Sequence, residues 1–261
     1  MPSVRVGDVD VAYGDDGQGD ALLALHGTTT NRMSWDLQLP GLIERFRVLR
    51  PEYPGSGDTH DHGKEPLQLA DLVGQALAVA DAAGVERFHV AGWSLGAVVA
   101  ASVAGTAPER VRSATLVCGW ARTDARMRFT FDLWRRLIEV DPLLFARYAF
   151  ADGLTAASFE AFGVDGVDAL VPDTAAGLAP GSIRQIELDQ RIDIVGQLPA
   201  IVAPTLVVGG LEDRWVDIAH SRFLVEHIAG AELVELACGH LVPTEHAGEL
   251  TRMMLEHHGA H

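Results

Sequence analysis

The sequence predicts an α/β fold, a mostly parallel sheet with helices on both faces, and three observations carry that prediction. Short runs rich in Val, Leu and Ala recur along the 261 residues. Segments with helical patterning separate them. The alternation stops once, over residues 121–195, and strand character then resumes at 204–209.

Residues 4–13 alternate apolar and polar side chains as a hairpin does, and G-D-D-G-Q-G-D at 14–20 reads as a hairpin turn rather than a phosphate loop. Buried strands follow at 21–25, 46–50, 87–92, 114–119, 204–209 and 232–236. Helices are expected near 34–45, 66–83, 95–107, 216–229 and 244–257. The segment 121–195 reads as a helical insertion, interrupted by G-V-D-G-V-D and by V-P-D-T-A-A-G-L-A-P-G. It holds eight of the seventeen aromatic residues, which serve either a small core of its own or the lining of a substrate pocket.

Composition excludes several classes of function. With 36 acids against 20 bases the net charge is −16, a field that repels nucleic acid and anionic lipid surfaces. The apolar stretch from Ala97 to Ala107 falls short of the roughly 20 residues that span a bilayer, so no membrane partner is expected. The first ten residues lack the basic and apolar regions of a signal peptide. Two cysteines, Cys118 and Cys238, make no disulfide framework and suit a reducing cytoplasm.

The chemistry-bearing motif is Gly92-Trp93-Ser94-Leu95-Gly96, between the strand R-F-H-V-A and an Ala-rich helix. A sharp strand-to-helix turn holds its central residue in a strained conformation, and glycines two positions either side let strand and helix approach closely. Ser94 is the candidate nucleophile; the competing reading is a plain N-cap serine. A serine hydroxyl needs a base, and the base needs a carboxylate to fix its tautomer. Among 11 histidines, His240 in A-C-G-H-L follows the last strand, at the edge where Ser94 emerges. His60 and His62 lie in a loop, His220 and His227 on a helix, and His257, His258 and His261 in the polar tail; all read as solvated. The group His60, His62, Asp58 and Asp61 lacks the second cluster a metal site needs, so no metal and no other cofactor is expected. Asp213, after the strand P-T-L-V-V-G, is the candidate acid, with Glu212 and Asp124 as alternatives. His26-Gly27-Thr28 ends another strand, so the Thr28 and Leu95 N–H groups can form an oxyanion hole, while His26 serves a structural hydrogen bond.

Elbow, acid, histidine and H-G turn, in the order Ser, Asp, His, resemble the α/β-hydrolase fold superfamily over essentially the full length. The superfamily segment D-x-P-G-x-G-x-S corresponds to Glu52–Thr59, with Glu52 for the usual Asp and Thr59 for the usual Ser. The resemblance implies an eight-stranded sheet, a core of residues 1–120 and 196–261, and a helical cap at 121–195 over the pocket. It also implies likeness to carboxylesterases, enol-lactonases and C–C bond hydrolases; dehalogenase- and epoxide-hydrolase-like members carry Asp at the elbow. The expected activity is cleavage of an ester, thioester or lactone of a bulky apolar small molecule. A lyase, C–C hydrolase or cyclase reaction in the same pocket, or binding without catalysis, is the alternative. Trp93, Phe129, Trp134 and Tyr148 are the expected substrate-binding residues. Arg122, Arg126, Arg128, Arg135 and Arg136 read as a solvated helix face opposite a buried stripe of Phe129, Leu133, Trp134 and Leu137.

Overall fold

A computed structural model describes residues 1–63, 65–178 and 181–261. Its strands are β1 (Ser3–Val6), β2 (Val9–Gly17), β3 (Asp20–Leu25), β4 (Phe46–Pro51), β5 (His60–Asp61), β6 (Phe88–Trp93), β7 (Val111–Val117), β8 (Thr205–Gly210) and β9 (Glu232–Leu236). They form one sheet in the order β1-β2-β4-β3-β6-β7-β8-β9, with the two-residue β5 beside β2. Strands β4, β3, β6, β7, β8 and β9 run parallel to one another, and β1 and β2 are antiparallel. The expected turn at 14–20 is a correction: Asp15 and Asp16 continue β2, which pairs with β4 instead of β3. Gly17 and Gly19, both at positive φ, swing the chain past β4 into β3.

The helices are α1 (Leu39–Leu42), α2 (Leu69–Ala82), α3 (Leu95–Thr106), α4 (Ala125–Val140), α5 (Pro142–Gly153), α6 (Ala156–Ala176), α7 (Ser182–Asp189), α8 (Ile218–His227), α9 (Val242–Glu245) and α10 (Ala247–Gly259). The expected helix 34–45 is broken into a 3-10 turn at Arg32–Trp35 and the single turn α1. Pro40, which lacks the N–H that a continuous helix needs, fits only at a helix start. The expected helix 244–257 is likewise split, at His246, into α9 and α10.

Alternation along each strand divides the core into two layers. Leu23, Leu25, Val90, Leu116 and Val207 face the layer containing α2, α3 and α8. Leu22, Ala24, Ala91, Val117 and Val208 face the layer built with Trp35, Leu42, Met253 and Met254. Helix α3 is buried from Leu95 through Ala104, because its Ala-rich surface lets it lie close against β6 and β7. His258 corrects the reading of a solvated tail: it is buried on α10, with its Nδ1 2.7 Å from Ser113 Oγ and its Nε2 3.0 Å from Thr115 Oγ1.

Among the described residues, four α-helices, α4 to α7, and a 3-10 helix at Val195–Ala200 lie between β7 and β8, with no strand. The first expected interruption is a kink in α6 at Gly163, φ 70°. The second sits where α6 ends at Ala176, and its Ala179-Pro180 portion lies outside the described residues. No helix among the described residues is long and apolar enough to cross a membrane. Because the parallel strands share one direction, the segments leaving β3, β6, β7, β8 and β9 emerge at the same edge of the sheet, where ligands of such folds sit.

Candidate active site

Ser94 occupies the elbow between β6 and α3 with φ 57° and ψ −122°, a conformation that an L-residue adopts only under constraint. The constraint is mutual crowding. A Cβ on Gly92 would run into the Gly96 carbonyl, and one on Gly96 into the Leu25 carbonyl of β3, so both positions demand glycine. The Ser94 N–H is anchored on Val117 O at 2.9 Å, while its hydroxyl makes no capping bond to α3. The hydroxyl is therefore not committed to the helix, against the N-cap reading.

Asp213 and His240 arrive from the two neighbouring loops. Asp213 Oδ1 accepts the Trp215 and Val216 N–H groups at 2.8 and 2.9 Å, which leaves Oδ2 to accept His240 Nδ1–H at 2.7 Å. Both side chains are buried, and the bond fixes the tautomer that leaves His240 Nε2 free to take a proton. The imidazole lies between two indoles, with ring centroids 5.6 Å from Trp93 and 4.8 Å from Trp215. The alternatives are engaged elsewhere: Asp124 caps α4 through Met127 N–H and touches His220, and Glu212 is exposed.

The loop carrying His240 is tied to the end of α5. His240 N–H donates to Gly153 O at 2.9 Å, and Trp93 Nε1–H donates to His240 O at 2.9 Å. Glu245 accepts Gly239 N–H at 2.9 Å on one oxygen and the Thr155 N–H and hydroxyl, at 3.0 and 2.8 Å, on the other. Cys118, at the end of β7 with φ 49°, lies beside the pair, its sulfur within 4.8 Å of Asp213 and His240 ligand atoms. Burial first, then the Asp213 charge, pushes the Cys118 thiol up, so it stays protonated.

On the facing side, neither Thr28 N–H nor Leu95 N–H donates to another group among the described residues, leaving both available where an acyl oxygen would sit. His26 is buried; its Nδ1–H donates to Gly27 O at 2.8 Å and its Nε2 accepts Tyr53 N–H at 3.1 Å. Burial pulls its pKa down to about 4, consistent with a neutral structural imidazole. Glu52, at the position where Asp is usual, bonds Arg32 at 2.8 Å and Asp58 N–H at 2.7 Å, and Thr59 Oγ1 donates to Glu52 O at 2.9 Å, so both departures keep the turn closed.

Asp189, at the end of α7, was not legible as a site residue. It is fully buried, and its Oδ2 accepts the Thr28 hydroxyl at 2.6 Å while Oδ1 has no partner. Desolvation raises its pKa well above the carboxylate range, with the Thr28 bond a smaller opposing effect. One turn earlier, Gln185 Oε1 accepts Thr29 N–H at 3.0 Å. Helix α7 thus grips the turn that carries Thr28.

Ser94, His240 and Thr28 line one cavity of about 230 Å³, walled by Trp93, Trp134, Phe145, Phe150 and Trp215. Two expected lining residues need correction. Phe129 is 78 % exposed: Phe131 and Trp134 face inward on α4, and a residue two places from Phe131 falls on the opposite side. Tyr148 sits outside the lining, its hydroxyl donating to Asp152 at 2.9 Å, while Phe145 and Ala149, four residues apart on α5, face the cavity. The arginines do lie on solvated faces, but the buried stripe of α4 is Met127, Phe131 and Trp134. Trp215 had no sequence signal beyond its place two residues after Asp213.

Residues 22–252 match the model of the alpha/beta hydrolase family. The chain belongs to the alpha/beta hydrolase family. This hydrolase is 34 % identical over 257 residues to the pyrrolizixenacetamide deacetylase of Xenorhabdus hominickii, covering 97 % of this chain and 96 % of that one. It is 30 % identical over 250 residues to a putative carbamate hydrolase, RutD, of Azorhizobium caulinodans, covering 92 % and 91 %. Among solved structures, the enol-lactonase of Burkholderia xenovorans superposes with a TM-score of 0.88 at 23 % identity, covering 98 % of each chain, a likeness of fold.

Proposed function

We propose that this hydrolase cleaves an acyl bond of a small molecule through Ser94, His240 and Asp213. The observation that carries the reading is the strained elbow holding an uncommitted Ser94 hydroxyl in one cavity with an imidazole oriented by Asp213 at 2.7 Å. His240 Nε2 takes the Ser94 proton as the oxygen attacks the carbonyl carbon. The Thr28 and Leu95 N–H groups, the latter at the N-terminus of the twelve-residue α3, hold the oxyanion. The imidazolium then protonates the leaving group, and water repeats the sequence on the acyl-enzyme. Helices α4 to α7 act as the cap, supplying Trp134, Phe145 and Phe150 to the cavity wall.

The bond is an ester, thioester or lactone, and the relatives named deacetylase and carbamate hydrolase extend the range to amides and carbamates. The buried, unpaired Cys118 and Cys238 support a cytoplasmic setting. A fluorophosphonate probe should label Ser94, and Ser94→Ala should lose turnover of p-nitrophenyl acetate by about 10⁴-fold or more while keeping its circular dichroism spectrum. Full activity in Ser94→Ala would refute the assignment. Labelling without cleavage of any ester, amide or lactone would instead favour lyase or C–C bond chemistry in the same cavity.

A further inference from the structure

The cavity around Ser94 is lined by sixteen side chains of which, among the described residues, His240 is the one titratable member; no Lys, Arg, Asp or Glu reaches it. The basic side chains around the cavity wall are engaged elsewhere: Arg214, beside Trp215, lies 3.7 Å from Asp152, and Arg32 meets Glu52 at 2.8 Å. Arg122 meets Asp193 at 3.0 Å, and Arg135 and Arg136 close on Asp132 at 2.9 and 2.7 Å. Arg147 meets Asp168 at 3.1 Å, and Arg126 donates to the Arg214 carbonyl. The nearby carboxylates are turned away as well. Asp152 lies behind Trp215, accepting Trp215 Nε1–H at 2.8 Å and the Tyr148 hydroxyl at 2.9 Å, and Asp213 is closed off by His240 and two backbone N–H groups.

A charged acyl group in this cavity would meet aromatic rings, serine and threonine hydroxyls and the His240 imidazole, with no opposite charge to replace the water it gives up. That exchange strongly disfavours either sign of charge.

We propose that the acyl group accepted by this hydrolase is uncharged. The inference rests on the acyl-hydrolase reading and deepens it: Trp134, Phe145, Phe150 and Trp215 form a wall that selects neutral acyl groups and rejects both carboxylated and ammonium-bearing ones of equal shape. The substrate class is a neutral acyl ester, amide or lactone, and diacid half-esters and aminoacyl compounds are excluded.

Three p-nitrophenyl esters of matched shape test it: the isohexanoyl ester, neutral; the half-ester of succinate, an anion; and the N,N-dimethyl-β-alanyl ester, a cation at pH 7. The spontaneous hydrolysis of each ester and the Ser94→Ala background are measured alongside and subtracted from its rate. The expected result is kcat/KM for the isohexanoyl ester about 100-fold or more above both charged esters, with recovery when the succinyl carboxylate is masked as its methyl ester. Equal or better turnover of either charged ester overturns the proposal and leaves the acyl-hydrolase reading standing. Failure of all the esters together with an unlabelled Ser94 overturns both.

Discussion

Asp189 gives the sharpest test of how the turn carrying Thr28 is built. The carboxyl has no solvent exposure, one hydrogen bond and one unpartnered oxygen. A hydrogen bond to a charged group contributes about 1.5–3 kcal/mol, whereas burying a lone carboxylate costs several kcal/mol, so the protonated form wins. The folded pKa is therefore raised above the unfolded value. Stability from this group is fully present below the unfolded pKa and is lost as pH rises toward the folded pKa, at about 1.4 kcal/mol per pH unit. Asp189→Asn keeps the shape and an acceptor for the Thr28 hydroxyl but removes the titration. As pH rises from 4.5 the Asn variant should gain on the parent, at up to about 1.4 kcal/mol per pH unit while the parent carboxyl stays protonated, each kcal/mol being a relative rise in Tm of about 2–4 °C for a chain of this size. Urea unfolding of both proteins across that range reads the difference, with m-values confirming comparable denatured states. A difference that does not change with pH, or an Asn variant losing ground as pH rises, would refute the account. Asp189→Val, which removes the acceptor, should lower kcat by about tenfold with a smaller change in KM, because the turn bearing Thr28 N–H loosens.

Three other outcomes follow from the packing. Gly96→Ala pushes a methyl into the Leu25 carbonyl, and since backbone cannot yield cheaply it should lose about 3 kcal/mol or more in urea unfolding; a loss under 1 kcal/mol would contradict the crowding at the elbow. Glu245→Gln gives up a charged acceptor shared by Gly239 and Thr155, and should cost about 2 kcal/mol and lower kcat about tenfold by loosening the His240 loop, with unchanged kcat counting against the clamp. Burial depresses the pKa of His89 to about 4 and that of His258 well below its usual value, so their stabilising effect is present above pH 6.5 and fades as pH falls below it. Each neutral imidazole should contribute a slope of about 1.4 kcal/mol per pH unit over that fall, and His258→Gln should flatten the profile of Tm against pH between 6.5 and 5.

Much of the candidate site is legible in the sequence because its signals are local. Glycine at 92 and 96 encodes close approach of backbone to backbone, and the strand before Ser94 and the helix after it are periodic patterns read within ten residues. Asp213 and His240 were legible from position alone, since a parallel sheet delivers every strand end to one edge and each follows a strand by a few residues. Phe129 failed because composition says how many aromatics a helical segment holds, while the helical phase that decides which of them face inward is fixed by the partner they pack on. His258 failed for the same reason: a charge-rich tail looks solvated until α10 lays one face on the sheet beside Ser113 and Thr115.

The sequence by itself determined the order of elements, the elbow, and which serine, aspartate and histidine share an edge, because backbone sterics and side-chain periodicity act over a few residues. Tertiary structure alone decided that Asp189 grips Thr28 from 161 residues away, that Trp215 covers His240, and that no arginine of α4 reaches the cavity. Those outcomes depend on how four helices settle on a sheet edge, where burial and the pairing of distant charges, which leave no mark in local sequence, set the final positions.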